Sequence, residues 1–440
     1  MKKYFIIAVA AIVAMAACSK TEVDETAVPD KKIGFEVANY ARQTKAELGL
    51  TNAEDQIFSF HTLANQFPKI GTPVVFMDVD VFPWTAAGAK IESGTDATID
   101  KWAPVEDYYW PKTGWINFYS YAGTTAPTVD NSAADKKTVG FTYSNKVIAA
   151  NSNILVADAA LHYARENSAL ETYPVDGGES ASNHVTTGVP TLFHHQLAKI
   201  TVDVEARTTT EKKSANTIWK VQVLSVENES NNSYASTIVP INKGTLALTV
   251  NDSKEENQSY PLTKNWTLTN ESATNISGWV PSSDTNDKET IALSDSDVLT
   301  IDVNSTGDGT KSEILALRSV MPQLTENVAF TLVYRVQAIH MVDDDDDATT
   351  PDVENVFLQE IRTVGVTGNG DTAKSIGDLT STIPSWQANK KITYHIIIDP
   401  VSEKVTFDPA VEDYDPIDAD GVRDDININE NGIVPTPSNP

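Results

Sequence analysis

The chain is short of the residue types that most chemistry requires. Its 440 residues include a single cysteine, Cys18, and only 7 histidines. One thiol cannot close an intramolecular disulfide, and without a CxxC pair there is no thiolate metal site. The HExxH motif of zinc hydrolases and the GxSxG elbow of serine hydrolases are both missing. Cations are scarce too: 33 Lys and Arg stand against 61 Asp and Glu, a formal net charge of −28. Phosphate binding requires clustered cations, so nucleic acid and anionic membrane are poor partners. No apolar run reaches the roughly 20 residues that a spanning helix needs. What this leaves is a strongly acidic, self-repelling surface around a 40% hydrophobic chain, enough for two or three domains with proper cores.

The longest apolar run, Tyr4 to Met15, follows Lys2 and Lys3 and leads through Ala16 and Ala17 to Cys18. A short basic segment, an apolar core and small residues before a cut make a signal peptide, residues 1–17. Met15-Ala16-Ala17-Cys18 is similar to a bacterial lipobox, in which Cys18 becomes the acylated first residue of the mature protein. Each buried acyl CH₂ contributes about 0.8 kcal/mol, so a multiply acylated cysteine, carrying palmitate or similar chains, is a durable outer-membrane anchor. Ser19, Glu22, Asp24 and Glu25 resemble the acidic segment that sends such lipoproteins to the cell surface.

After residue 70 the dominant pattern is alternation. Ile200, Val202 and Val204 alternate with Thr201, Asp203 and Glu205; Val328, Phe330, Leu332 and Tyr334 form a second run, and Ile392, Tyr394, Ile396 and Ile398 a third. A period of two over four to eight residues marks strands with one wet face. The segments 115–121, 219–226, 244–250 and 298–303 add further strands, with Asn-, Gly-, Ser- and Asp-rich turns between them. Many short strands with such punctuation predict an all-β protein built of antiparallel sandwiches. Residues 52–66 are the one weak candidate for a helix. The polar stretch 206–215 after a strong strand is the expected domain boundary, dividing a 43–206 sandwich from a 207–414 sandwich. Residues 415–440 form an acidic, Asn- and Pro-rich tail with little apolar surface to bury.

Candidate chemistry is sparse. "GDGTKS" at 307–312 lacks the first glycine of a phosphate loop and reads as a turn. His194 and His195 are adjacent, so on a strand they face opposite ways and cannot chelate one metal; the inward one is expected to be structural. Asp343–Asp347, a run of five like charges, is expected to stay solvated. The calcium-loop-like pieces at Asp418/Asp420 and Asn427/Asn429 lack the closing acidic ligand or sit in the loose tail. Glu106/Asp107 and Glu412/Asp413 are adjacent pairs, which say nothing of the cross-cleft spacing that glycosidases need. We therefore expect no enzyme, no metal and no cofactor. The densest feature is aromatic: Trp102, Tyr108, Tyr109, Trp110, Trp115, Phe118, Tyr119 and Tyr121. It reads as a core strand entered through a Trp-Pro turn, or alternatively as a sugar-stacking platform on a monomeric glycan-binding surface lipoprotein.

Five segments in order carry a resemblance. After the lipobox come "KKIGFEVANYARQTKA", "YYWPKTGWINFYSYAG", "ILVADA", "TLFHHQLAKITVDV" and "WQANKKITYHIIID" with "VTFDPAVEDY". Together they resemble the fimbrillin-like subunits of Bacteroidetes surface (type V) pili, from Cys18 to Tyr414. The resemblance implies two tandem transthyretin-like Greek-key sandwiches, delivered as an outer-membrane lipoprotein, clipped after an arginine and assembled with other pilus subunits into an adhesive fimbrium that meets host or bacterial surface ligands. The matching arginine is Arg42, which would end an N-terminal propeptide, residues 18–42. Ile33, Phe35 and Val37 alternate just before it, so cleavage would release a strand and leave an apolar groove with an unpaired edge. Such a groove accepts an incoming strand by β-augmentation. The donor is left open: the tail segment with Ile426 and Ile428, or 401–411, or none if this is a tip or accessory subunit.

Overall fold

The computed structural model describes residues 32–37, 59–68, 70–91, 99–111, 114–165, 183–185, 188–191, 193–208, 217–225, 227–229, 232–252, 266–268, 278–301, 311–342, 353–367, 383, 385–413, 427–429 and 432–434. Among these residues regular structure is strand apart from short 3-10 turns, and the strands stack as sandwiches, so the all-β expectation holds.

The largest sheet has ten strands. Its central members are Phe60–Phe67, Val74–Trp84 and Trp115–Gly123, with Lys101–Pro104, Phe35–Val37 and Val189–Thr191 continuing on one side. One face buries Phe60, Ala64, Trp102, Ile116, Phe118 and Phe193 together with the N-terminal strand. The opposite face, carrying Leu63, Tyr119 and Val156, packs on a second sheet through Val139, Phe141, Tyr143, Leu246, Leu248 and Val250. Strands with both faces covered lose their alternation, and Phe60–Phe67 shows it: six of its eight positions are buried. This explains the misleading helical pattern over 52–66. The segment from Phe60 onward is a strand, paired on both sides.

The second sheet joins distant parts of the chain. Thr138–Val147 pairs antiparallel with Lys243–Asn251, from Thr138 opposite Asn251 to Val147 opposite Lys243. Trp266–Leu268 and Trp279–Pro281 extend it. A strand from beyond residue 240 therefore completes the sandwich of the N-terminal half.

A third core lies between a four-stranded sheet, ordered Lys311–Val320, Ala198–Ala206, Lys390–Asp399, Lys404–Asp413, and a six-stranded sheet around Ala329–Val342. The alternating residues expected from the sequence meet here: Ile200, Val202, Val204, Ile392 and Ile396 face Val221, Phe330, Leu332 and Val336. Ala198–Ala206 thus sits in the C-terminal core, on the far side of the boundary expected at residue 206. Its partner Lys390–Asp399 runs parallel to it, from Lys199 opposite Lys391 to Ala206 opposite Ile398. Phe35–Val37 and Asn183–Val185 also have a parallel neighbour, so the sheets are antiparallel with parallel exceptions. Parallel partners require long crossovers, which local turn patterns cannot reveal.

Candidate functional site

The N-terminal strand is built into the largest sheet as an interior member. In Phe35–Val37 the residues point alternately in and out, and with Ile33 they leave three apolar side chains inside: Ile33, Phe35 and Val37 are 2%, 5% and 3% exposed. The backbone is held on both sides. Phe35 lies opposite Trp102 in an antiparallel pair, while Phe35, Glu36 and Val37 run parallel to Val189, Pro190 and Thr191. The Ile33 N–H donates to the Tyr108 carbonyl at 2.7 Å, and the Val189 N–H donates to the Gly34 carbonyl at 2.8 Å.

Side-chain contacts centre on Phe35. Its ring meets Phe60 and Phe118 edge-on at 5.4 and 5.8 Å. Phe60 in turn touches Trp102 and Phe193 at 5.7 and 5.3 Å. The neighbouring turn is fitted to this strand: a Cβ placed on Gly188 would come within 3.0 Å of the Glu36 nitrogen and the Phe35 carbonyl carbon. Such a contact is tighter than side chains normally make, so glycine at 188 lets the two backbones approach. At the outer end Lys32 pairs with Asp107 at 2.6 Å. The hydrogen bond to Asp107 holds the Lys32 ammonium above the usual lysine range, with burial opposing it. Asp107 is therefore committed to an ion pair that clasps the strand.

Taking this strand away would leave the Lys101–Pro104 edge and the Val189–Thr191 edge both unpaired, above a floor of aromatic rings. The space would be a slot sized for an extended segment with apolar residues at alternate positions and able to hydrogen-bond it on two sides.

The remaining expected positions fall elsewhere. Cys18, Arg42, Ile426, Asp343–Asp347 and the Asp418/Asp420 pair lie outside the described residues. Ile428 falls in Asn427–Asn429, which pairs with Gly432–Val434 so that Ile428 stands opposite Ile433. "GDGTKS" is described only at Lys311 and Ser312, which begin a strand. His194 and His195 do face opposite ways. His194 is half-buried and bonds Asp158 at 3.0 Å; His195 is buried and meets the Asn153 amide oxygen at 3.1 Å. Burial pushes the His195 imidazole well below the usual histidine value, with Lys199 and His194 adding to the effect, so it is held neutral as an interior group. Trp110 and Trp115 are 7% and 1% exposed. They are core rings and cannot form the stacking platform considered for glycans. Among the described residues no group of three or more His, Cys, Asp or Glu side chains is placed to hold a metal.

One polar cluster gave no signal in the sequence. Asp252, at the end of the strand contributed by the C-terminal half, meets His162 Nε2 at 2.9 Å and accepts from the Asn117 amide at 2.7 Å. The His162 backbone N–H donates to Asn117 Oδ1 at 2.7 Å. All three side chains are buried. Burial raises the Asp252 carboxyl, but His162, Asn117 and Lys137 outweigh it and hold it below the usual aspartate value. A second His-acid group sits on the four-stranded sheet, where His395 bonds Asp203 and meets Glu205 at 2.8 Å. Here alternation did carry a signal, since Asp203 and Glu205 share the polar face of the Ile200–Val202–Val204 strand, a face that is largely covered, with Glu205 buried.

No protein-family model matches the sequence, and no curated protein does. Similar chains are found among solved structures. The chain is similar to fimbrial proteins. One is a fimbrial protein from Bacteroides vulgatus, 13% identical, with 87% of this chain and 99% of that one covered at a TM-score of 0.41. Another is the tip fimbrial protein Mfa3 from Porphyromonas gingivalis, C-terminally truncated, 10% identical, covering 82% and 95% at a TM-score of 0.25.

Proposed function

We propose that this chain is a non-enzymatic, fimbrillin-like subunit of an adhesive surface fimbrium, and that its N-terminal strand is a removable plug. The observation that carries this reading is the seating of residues 32–37. A segment at the N-terminal end of the described chain lies between two strands, with three side chains buried in an aromatic core. An N-terminal strand so placed can leave without disturbing the chain on either side of it, provided the link to residue 59 is cut. Arg42 lies in that link.

In this scheme Cys18 is acylated and delivers the subunit to the outer membrane. Cleavage after Arg42 then releases residues 18–42, and the opened slot accepts a strand from another subunit. The tail with Ile426 and Ile428 is one donor. The strand Lys404–Asp413 is another: its Val405-Thr406-Phe407-Asp408-Pro409 repeats the apolar, small, Phe, acidic order of Ile33-Gly34-Phe35-Glu36-Val37. It ends its sheet, and most of its described side chains are exposed. The cores divide more naturally near residue 197 than at 206, with 243–281 counted in the first sandwich.

Arg42→Ala tests the scheme. Wild-type cells should give an SDS-resistant ladder of subunits, and the variant should give none. A ladder that persists with Arg42→Ala would remove the clip from the mechanism, and a ladder lost on deleting 415–440 would assign the tail as donor.

A further inference from the structure

The hairpin Ala329–Val342/Val353–Thr367 is the longest among the described residues, with Ala329 opposite Thr367 and Val342 opposite Val353. Its first strand is paired on both sides, by Thr217–Val223 and Thr237–Val239 on one and by Val353–Thr367 on the other. The second strand has no further strand partner among the described residues, so it presents an edge. Natural edges are usually guarded by charge, by proline or by a bulge. The stretch 358–366 contains no proline, and its two charges are Glu360 and Arg362, of opposite sign and one residue either side of Ile361. The one bulge lies at Phe357, where the register shifts between Ala338 and Ile339. Phe357 is 58% exposed.

These residues are self-complementary. Consider a second copy laid antiparallel along this edge with Ile361 opposite Ile361. Glu360 then stands opposite Arg362 of the other copy, and Arg362 opposite Glu360. Leu358 meets Val364, Gln359 meets Thr363, and exposed Phe357 falls beside Gly365, which has no side chain to compete for the space. Sliding the register by two residues brings Glu360 opposite Glu360 in one direction and Arg362 opposite Arg362 in the other. Like charges directly opposite are unfavourable in sheets, so one register is selected. Within one chain Arg362 already bonds Glu360 at 2.9 Å and reaches Glu403 at 3.4 Å, so in the pair the four charges alternate in sign.

We propose that Val353–Thr367 is a homotypic docking edge: two copies of this chain join their six-stranded sheets antiparallel about a two-fold axis at Ile361. The contact is independent of the N-terminal slot and requires no cleavage, so it gives side-by-side association and not end-to-end growth. An isologous contact of this kind closes after two copies.

The test uses the full chain with Cys18→Ser, which removes its only native thiol. Residues directly opposite in an antiparallel pair have Cα atoms about 4.5–5.5 Å apart, within disulfide range. Ile361→Cys should therefore give a covalent dimer under mild oxidation. Thr363→Cys should not, because the two equivalent positions lie about 13 Å apart along the strands. Glu360→Arg should weaken self-association in sedimentation velocity several-fold, and the double variant Glu360→Arg/Arg362→Glu should restore it. Monomer throughout, equal cross-linking at 361 and 363, or indifference to Glu360→Arg would overturn the proposal.

Discussion

Replacing Phe35 with alanine tests whether the N-terminal strand is part of the core or lies against it. Its ring is 5% exposed and edge-on to both Phe60 and Phe118, with Ile33 and Val37 buried on either side. Phe→Ala at a buried site costs about 3–5 kcal/mol, the lost transfer free energy plus the cavity left behind. The aromatic pairs add roughly 0.5–1.5 kcal/mol each beyond area burial, so a Phe35→Ala/Phe118→Ala cycle should show coupling of that size. In a unit of 150–250 residues each kcal/mol moves the midpoint by about 2–4 °C, which gives a fall of roughly 6–20 °C in the transition of the N-terminal sandwich. Differential scanning calorimetry on the uncleaved protein reads this directly. Trypsin adds a second readout, since a loosened strand should speed cutting at Arg42. Lys32→Ala is the matched control, because it removes the exposed clasp to Asp107 and leaves the core alone. If Phe35→Ala shifted the transition no more than Lys32→Ala, the strand would contribute nothing to the core, and its removal could not open a groove.

Two further outcomes follow from buried charge. Asp252 is held below 3.8 in the folded state, so its contribution is complete above that value and disappears as pH falls through the lowered one. Asp252→Ala should cost about 3–5 kcal/mol at neutral pH, by leaving His162 and Asn117 without their acceptor, and should flatten the acid limb of a urea-denaturation series below about pH 4. A neutral-pH cost near zero would mean that the cluster is solvated. For His195 the onset lies higher in pH. A buried neutral imidazole, lowered from 6.5, contributes fully above pH 6.5; below it, stability should fall by about 1.4 kcal/mol per pH unit as the unfolded chain takes up the proton. His195→Gln should abolish that slope, and an unchanged slope would assign it to other groups.

How far the fold could be read depended on how each strand is covered. Ile392 and Ile396 sit on a strand with one dry face, and their alternation located it well. Ile200, Val202 and Val204 alternate in residue type with Thr201, Asp203 and Glu205 and were located too, although eight of the nine residues of Ala198–Ala206 are buried. Phe60–Phe67 and Trp115–Gly123 are covered on both faces, so Leu63 and Ala64 or Phe118 and Tyr119 are adjacent and both buried. That pattern has no period of two. Pairing over long sequence distance was equally invisible: nothing local in Ala198–Ala206 announces a parallel partner near residue 395. The boundary expected at 206 followed a change in polarity, whereas the pairing of Ala198–Ala206 with Lys311–Val320 and Lys390–Asp399 is a matter of long-range contacts. At the slot, Ile33, Phe35 and Val37 were legible as an alternating triplet. Its walls were not, because Trp102, Phe118, Gly188 and Val189 converge only when the sheet forms. Asp252 and His162, 90 residues apart, are hidden for the same reason.

The strand Lys243–Asn251 has a mechanical consequence. Its ladder with Thr138–Val147 joins the N-terminal sandwich to a segment that leads directly into the C-terminal core. If a filament is pulled along its length, load passes between the sandwiches through chain crossings near residues 197, 240 and 282, and the latter two are anchored in the first sandwich by an antiparallel ladder whose bonds share the force when sheared. Asp252, bonded by His162 and Asn117, fixes the end of that ladder in register. On the proposed reading, a subunit made this way would share extension between its two sandwiches.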